Sequence, residues 1–299
     1  MDQSKEFESG EGASGGVEAE QGGHTLPALQ LDLLRTGMAG WKVFTAPAFF
    51  GLERVPRDRP ALFVGNHTLM GMLDVPLMIL ELLEECGVLI HPLGDHVHFQ
   101  VPLWRELLES FGVVDGSPES CAELMDAGKS IVVFPGGTRE VFRRKDEKYQ
   151  LLWKQRAGFA RMAAEHRYTI VPFASVGADD CFDIVVDGND LLRSPLRPII
   201  ERLNPGKDMI PPLLRGIGLS PLPRPERFYF HFGEPIETAH LEGKSDDAAA
   251  VFAVREQVRE AVEAGIEFLL EKRAGDPQRS FLNRLLGVPR GGERSSNVT

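Results

Sequence analysis

Three features are scarce in this chain. Its 299 residues contain only three cysteines, Cys86, Cys121 and Cys181. So few, so widely scattered, cannot form a disulfide framework and point to a reducing compartment. No apolar run approaches the ~18–20 residues that span a bilayer. The N-terminus lacks the basic-then-apolar pattern of a secretory signal, and its acidity does not suit a transit peptide. The expected location is therefore cytoplasmic, with peripheral attachment to membranes. Basic residues are also outnumbered, 33 against 44 acidic, for a net charge of −11. That balance argues against nucleic acid as the main partner, because phosphate binding wants excess Lys and Arg.

Residues 1–23 are Gly-, Glu- and Ser-rich with almost no apolar content, so they are expected to form a disordered acidic tail. They include Gly12-Ala-Ser14-Gly-Gly16, a formal match to a nucleophile elbow. The elbow needs a strand before it and a helix after it, and neither is foreseen here. Residues 24–57 form an N-terminal helical segment rich in Leu, with Trp41, Phe44, Phe49 and Phe50. Two readings stand for these aromatics: core, or an amphipathic element on a membrane surface.

From 58 to 273 strands alternate with helices. The apolar runs 61–65, 87–90, 130–134, 169–176 and 227–233 predict strands. Helices are expected over 75–85, near 101–111, from Ser117-Pro118 to about 127, and over 149–166. A long helix opens at Ser245-Asp246-Asp247, and Val251, Val254, Val258, Val262, Ile266 and Leu270 mark its apolar face. The fold class implied is α/β, a largely parallel central sheet flanked by helices, with an N-terminal amphipathic segment and a C-terminal helix. Residues 274–299 lose periodicity, and their Arg279, Arg284, Arg290 and Arg294 suggest a loose basic tail able to meet anionic lipid. The Pro-rich apolar stretch 209–228 is either a membrane-touching loop or lid, or a long connection over the core.

Two stretches carry chemistry. In ALFVGNHTLMGMLDVPLM, residues 61–78, His67 follows a parallel strand directly. Ligands of open α/β sheets bind beyond such strand ends. An imidazole there suits general-base work near neutral pH. Asp74 is the nearest acid. It either orients His67, which requires residues 68–73 to fold back, or caps the helix that starts at Val75-Pro76. The second stretch follows strand 130–134: Pro135-Gly136-Gly137-Thr138-Arg139-Glu140. Two glycines let backbone N–H groups approach an anion, and Arg139 adds fixed charge, for a phosphate or a developing oxyanion. Seven basic residues crowd Arg139–Arg156. Among them Arg143, Arg144 and Lys148 are candidate contacts for CoA phosphates or lipid headgroups, the alternative being ordinary surface ion pairs. A metal set of His91, Asp95, His96 and His98 is disfavoured, because His96 and His98 would point to opposite sides of a strand and the H-x-x-x-H helical spacing is absent. No metal and no cofactor is expected.

VGNHTLMGMLDVPLM, FPGGTREVF, EKYQLLWKQRAGFARMA, TIVPFASVGADD and YFHFGEPI occur in an order that resembles the lysophospholipid and glycerolipid acyltransferase superfamily, over about 58–240. They look most like its diacylglycerol acyltransferase and phytyl ester synthase branch. The resemblance implies acyl transfer from a thioester, acyl-CoA or acyl-ACP, to a lipid hydroxyl, with His67 as the catalytic histidine. It also implies partners: acyl-CoA, a lipid acceptor and a membrane surface. Gly136 stands where the phosphate-acceptor branch usually has Glu, which favours a neutral acceptor such as diacylglycerol, monoacylglycerol or a long-chain alcohol. The family's usual His-x4-Asp spacing is broken, because Met72 holds the expected Asp position. Asp74 is then the partner chosen for His67, with Asp179 or Asp180 as substitutes. Met70, Met72 and Leu77 are candidates to line an acyl tunnel. Two other readings follow from the same motifs: a lysophospholipid or glycerol-phosphate acyltransferase, and an inactive acyl-CoA- or lipid-binding protein.

Overall fold

Ala61, Leu62, Phe63 and Val64 are wholly buried, with apolar residues on both faces of the strand. A strand without polar alternation needs cover on both sides. This one, Ala61–Gly65, lies at the centre of a seven-stranded sheet. The structure is a computed structural model. It describes residues 28–287 apart from 70, 72, 95–105, 107–112, 196 and 204–209. In chain order the strands of this sheet are β1 (Ala48–Phe50), β2 (Ala61–Gly65), β3 (Ile90–Gly94), β4 (Val114–Asp115), β5 (Ser130–Val133), β6 (Thr169–Val176) and β9 (Tyr229–Phe232). β7 (Asp183–Val186) and β8 (Leu213–Arg215) pair with each other in a separate antiparallel ribbon. The order across the sheet is β1-β9-β6-β2-β5-β3-β4, parallel throughout except between β6 and β9.

Strand alternation divides the core in two. Leu62 and Val64 join Ile131 and Ile170 beneath the helices Gly158–His166 and Ala248–Ala274. Ala61 and Phe63 join Val132 and Val171 on the other face, against the helix Val75–Cys86 and the phenylalanines of β9. The long C-terminal helix starts where expected: Asp247 caps it by accepting from the N–H groups of Ala249 and Ala250. Its apolar face runs to Leu269, which is fully buried, with Leu270 half-buried against the same core. Gly265 lets the helix lie close to β6, since a Cβ there would stand 3.0 Å from that of Ala174.

Several boundaries differ from expectation. The second strand is Ile90–Gly94, because Gly87 takes a left-handed conformation (φ 69°) and closes the preceding helix. Only 158–166 of the expected helix 149–166 is helical. Tyr149 and Lys154 have positive φ, and the stretch between them is irregular around the buried Trp153. The N-terminal segment does not stand apart. After the helix Ala28–Thr45 the chain enters the sheet as β1 beside β9. Trp41, Phe49 and Phe50 are half-buried and pack against the core, while Phe44 stacks on Trp41 and meets Phe281. Trp41 donates to Leu73 O at 2.7 Å, Phe49 stacks on Phe230 at 4.7 Å, and Phe50 meets Phe268 edge-on at 5.5 Å. The chain beyond 274 is not loose at its start. Asp276 accepts from Arg227 and Tyr229, and the short helix Phe281–Leu285 carries Arg284 onto the carbonyls of Phe44 and Pro225. The acidic tail 1–23, most of the helix expected near 101–111, and Arg290 and Arg294 lie outside the described residues, as do Met70 and Met72 of the tunnel and Asp95, His96 and His98 of the metal set.

Candidate active site

β2 ends at Gly65, and the chain leaves its carboxyl end as Asn66-His67. Asn66 replaces the next rung of the ladder. Its side-chain amide donates to Ser175 O and accepts from Ser175 N, both at 2.9 Å. A reciprocal amide pair of this kind satisfies buried backbone groups where strand pairing stops. His67 follows, half-buried, with its ring stacked on Phe134 at 4.1 Å and 23°. Phe134 is the residue after β5, so the neighbouring strand end supplies the ring's floor. Gly71 N–H donates to Thr68 O at 3.0 Å, closing a turn beside the ring. Gly71 has φ 60°, and a Cβ on it would lie 2.0 Å from His67 Cε1. Only glycine lets backbone pass that close to the imidazole.

Three charged side chains then hold the backbone of residues 67–69. Glu140 Oε2 accepts from His67 N at 2.7 Å, while its Oε1 accepts from Leu152 N at 2.8 Å. Arg143 donates to His67 O and to Glu140 O. Asp179 Oδ1 accepts from Leu69 N at 2.6 Å, and its Oδ2 pairs with Arg143 at 2.8 Å. Arg143 and Asp179 are both almost wholly buried. Burial pushes the Glu140 carboxyl up to about 7, against the opposing pull of the two N–H groups and Arg143.

Asp74 is buried and caps the helix Val75–Cys86. Its Oδ1 accepts from Thr68 Oγ1 at 2.8 Å and Val75 N at 3.0 Å, and its Oδ2 accepts from Ser175 Oγ at 2.5 Å. Asp74 therefore reaches Thr68, the residue next to His67. Burial raises its pKa, with Ser175 and Thr68 opposing.

The glycine turn stands on the other side of the ring. Gly137 N donates to Phe134 O at 2.9 Å, and Arg156 caps the carbonyls of Pro135 (2.9 Å) and Gly136 (2.7 Å). Thr138 opens the short helix Thr138–Val141. Arg139, foreseen as an oxyanion partner, is largely buried and paired with Glu147. The three candidate phosphate contacts separate. Arg143 is an interior strut, since burial takes it out of reach of a surface ligand. Arg144 is half-buried, and its N–H donates to Glu147. Lys148 is exposed and paired with Asp180 at 2.8 Å. Burial, and the adjacent Asp180 that accepts its hydroxyl, hold Tyr149 well above the usual phenol range.

Sequence reasoning placed His67 and the glycine turn each at the end of a strand, and the fold makes those two strands neighbours. It gave no role to Asn66, Phe134, Glu140 or Ser175. Glu140 had one legible signal: it is an acid three residues past a Gly-Gly turn, at the third position of a helix, where carboxylates meet backbone N–H groups. Asp179 was a substitute partner for His67. Here it anchors Leu69 and neutralises Arg143.

Residues 47–176 match the family model described as Acyltransferase. Phytyl ester synthase 1, chloroplastic, of Arabidopsis thaliana is 35% identical over 256 residues, which span 79% of this chain and 36% of the synthase. Phytyl ester synthase 2, chloroplastic, of the same organism is 31% identical over 258 residues, with the same coverage. The chain thus spans about a third of the length of these curated relatives. A Homo sapiens protein described as a DGAT1/2-independent enzyme synthesizing storage lipids is 31% identical over 122 residues, 41% of this chain and 37% of that protein. Among solved structures, the 1-acyl-sn-glycerophosphate acyltransferase PlsC of Thermotoga maritima superposes with a TM-score of 0.51 at 18% identity. The match covers 80% of this chain and 79% of that one, a likeness of fold.

Proposed function

From the acyltransferase family, to which this chain belongs, we propose that it moves a fatty acyl group from an acyl thioester, acyl-CoA or acyl-ACP, to the hydroxyl of a neutral lipid. His67 is the general base. Its Nδ1 is buried, so Nε2 is the nitrogen offered to the acceptor. The acceptor O–H gives its proton to the imidazole as the oxygen attacks the thioester carbonyl. The tetrahedral intermediate carries its charge toward the Phe134–Thr138 turn beside the ring, where backbone N–H dipoles steady it. On collapse the C–S bond breaks, and the thiolate takes the proton back from the imidazolium. A thiolate leaves readily, so the route needs no covalent acyl-enzyme.

The observation that carries this reading is the setting of His67. His67 is a partly exposed residue at the carboxyl end of a central parallel strand, its ring stacked on Phe134 and its backbone bonded on both sides by Glu140 and Arg143. Such a ring meets a base's need for fixed geometry and access at once. Asp74 supports it through Thr68 by fixing the turn that follows. Gly136 supports a neutral acceptor, as do the names of the phytyl ester synthase relatives. In assays with acyl-CoA and long-chain alcohol, monoacylglycerol or diacylglycerol acceptors, His67→Ala should lose about a hundred- to ten-thousand-fold in kcat with its thermal melt preserved. Near-normal turnover by the folded variant would remove His67 from the role. Preferential use of lysophospholipid or glycerol phosphate in a competition assay would overturn the neutral acceptor. Acyl-CoA binding with no turnover on any acceptor would leave a binding protein.

A further inference from the structure

Among the described residues, the large apolar side chains left exposed gather in a few places. They are concentrated in the β8 loop, residues 213–222, and in the last helix and the turn after it, residues 281–286. Leu219 is 90% exposed, Leu286 77% and Leu285 71%, with Leu222, Leu282 and Ile217 close behind. Single exposed leucines are ordinary, but a contiguous set marks a binding surface. These form one rim. Arg284, on the last helix, donates to Pro225 O, while Arg224 donates to Gly216 O across the loop, whose neck closes through Ile217 N and Leu222 O.

The rim lies at the end of the sheet that carries His67. Arg224 N donates to Cys181 O at 3.0 Å, which seats the loop behind the turn that follows β6. In that same turn Asp179 holds Leu69 N. The loop 217–222 is also built to stay put while exposed: its carbonyls and N–H groups bond internally, and a Cβ on Gly216 would strike Leu222 O at 1.7 Å.

Charge reverses here as well. The chain as a whole carries −11, yet the base of this loop holds two part-exposed arginines, Arg215 and Arg224. Asp183 alone serves both Arg215 (2.9 Å) and Arg224 (2.5 Å), leaving the pair with net positive charge. Apolar tips among surplus guanidinium groups match the two layers of an anionic lipid surface: tips enter the acyl boundary while arginines meet headgroups.

We infer that this rim, the loop 213–222 with the helix Phe281–Leu285 and Leu286, docks the chain on an anionic lipid surface. The lipid-facing edge is then the edge that opens toward His67. The docking deepens the acyl-transfer reading and rests on it only for its purpose, which is to present a lipid hydroxyl to the imidazole.

The test is flotation of the full chain with phosphatidylcholine vesicles, with and without phosphatidylglycerol. Two double variants are compared, Leu219→Glu with Leu222→Glu, and Leu285→Glu with Leu286→Glu, each checked by circular dichroism and thermal melt. The wild type should float with the anionic vesicles, and less with the neutral ones. Each double variant should float about tenfold less, since it exchanges buried apolar groups for like charge. A wild type that stays with the soluble fraction, or variants that float equally well, would overturn the inference. So would concentration-dependent dimerisation that the variants abolish, because the rim would then cover a second copy of the chain. Flotation without acyl transfer in vesicles or detergent would sink the acyl-transfer reading and leave the docking. Turnover in detergent without flotation would do the reverse.

Discussion

A Cβ on Gly136 would lie 2.0 Å from the carboxyl carbon of Glu140. The space beside the glycine turn is already filled by the Glu140 carboxylate, which reaches past it to the N–H of His67. The missing side chain at 136 and the acid at 140 are one device. The glycine there is thus a packing requirement of this chain as well as a hint about its acceptor.

Gly136→Ala should therefore destabilise by about 1–3 kcal/mol, as overpacking does in a filled interior. The loss should shrink in a Glu140→Ala background, with a coupling of about 1 kcal/mol or more between the two sites. Urea denaturation of the two single variants and the double variant measures it. Additive losses would show that the two positions do not compete for space.

Glu140 also predicts a pH dependence. Its folded-state pKa is about 7 against an ordinary 4.5. Between those values the folded chain holds a proton that the unfolded chain has released, so stability falls as pH rises through the window and levels off above it. The full effect is about 3 kcal/mol at 1.36 kcal/mol per unit. Glu140→Gln cannot ionise and should lack this slope. Denaturation midpoints of wild type and variant should lie closest at pH 5, where the protonated carboxyl resembles the amide, and the wild type should fall behind the variant by pH 8. A difference that does not change with pH would refute it.

Arg143 and Asp179 form a pair that cannot be broken cheaply. Arg143→Met strands a buried carboxylate and should cost about 3–5 kcal/mol. Removing both charges, as Arg143→Met with Asp179→Leu, should recover part of that stability, although Leu69 N would still lose its acceptor. Calorimetry on the three variants checks the order. A double variant worse than either single would overturn it.

Asp74→Asn keeps one acceptor oxygen where the native carboxylate serves Thr68, Val75 and Ser175 with two. The expected cost is about 1–2 kcal/mol, the loss of a helix cap together with a buried hydrogen bond. Earlier hydrogen exchange in the first turn of the helix Val75–Cys86 would locate the loss. Unchanged stability would show that Asp74 fixes neither helix nor turn.

Much of the α/β scaffold was legible from pattern. Ala61–Gly65 and Thr169–Val176 match their predicted strands because unbroken apolar runs of that length have one use, a strand covered on both faces. The start of the last helix at Asp247 was legible from its cap chemistry, and His67 from its place after a strand. The irregular stretch after Tyr149 was not, because its charges and aromatics suit a helix surface. What decides against the helix is the bonding of Tyr149 to Asp180 and of Leu152 to Glu140.

The sequence by itself determined that apolar runs would stack into a parallel sheet and that an imidazole would stand at the carboxyl end of one strand. Burial and chain direction are local properties of residues in order, and they can be read residue by residue. Only the tertiary structure decided which groups hold that imidazole. Glu140 and Asp179 lie 73 and 112 positions further along the chain, and Arg143 became a buried strut instead of a surface cation. Such choices depend on which strand ends meet in space and on what little room remains between them, and neither is written in any single stretch.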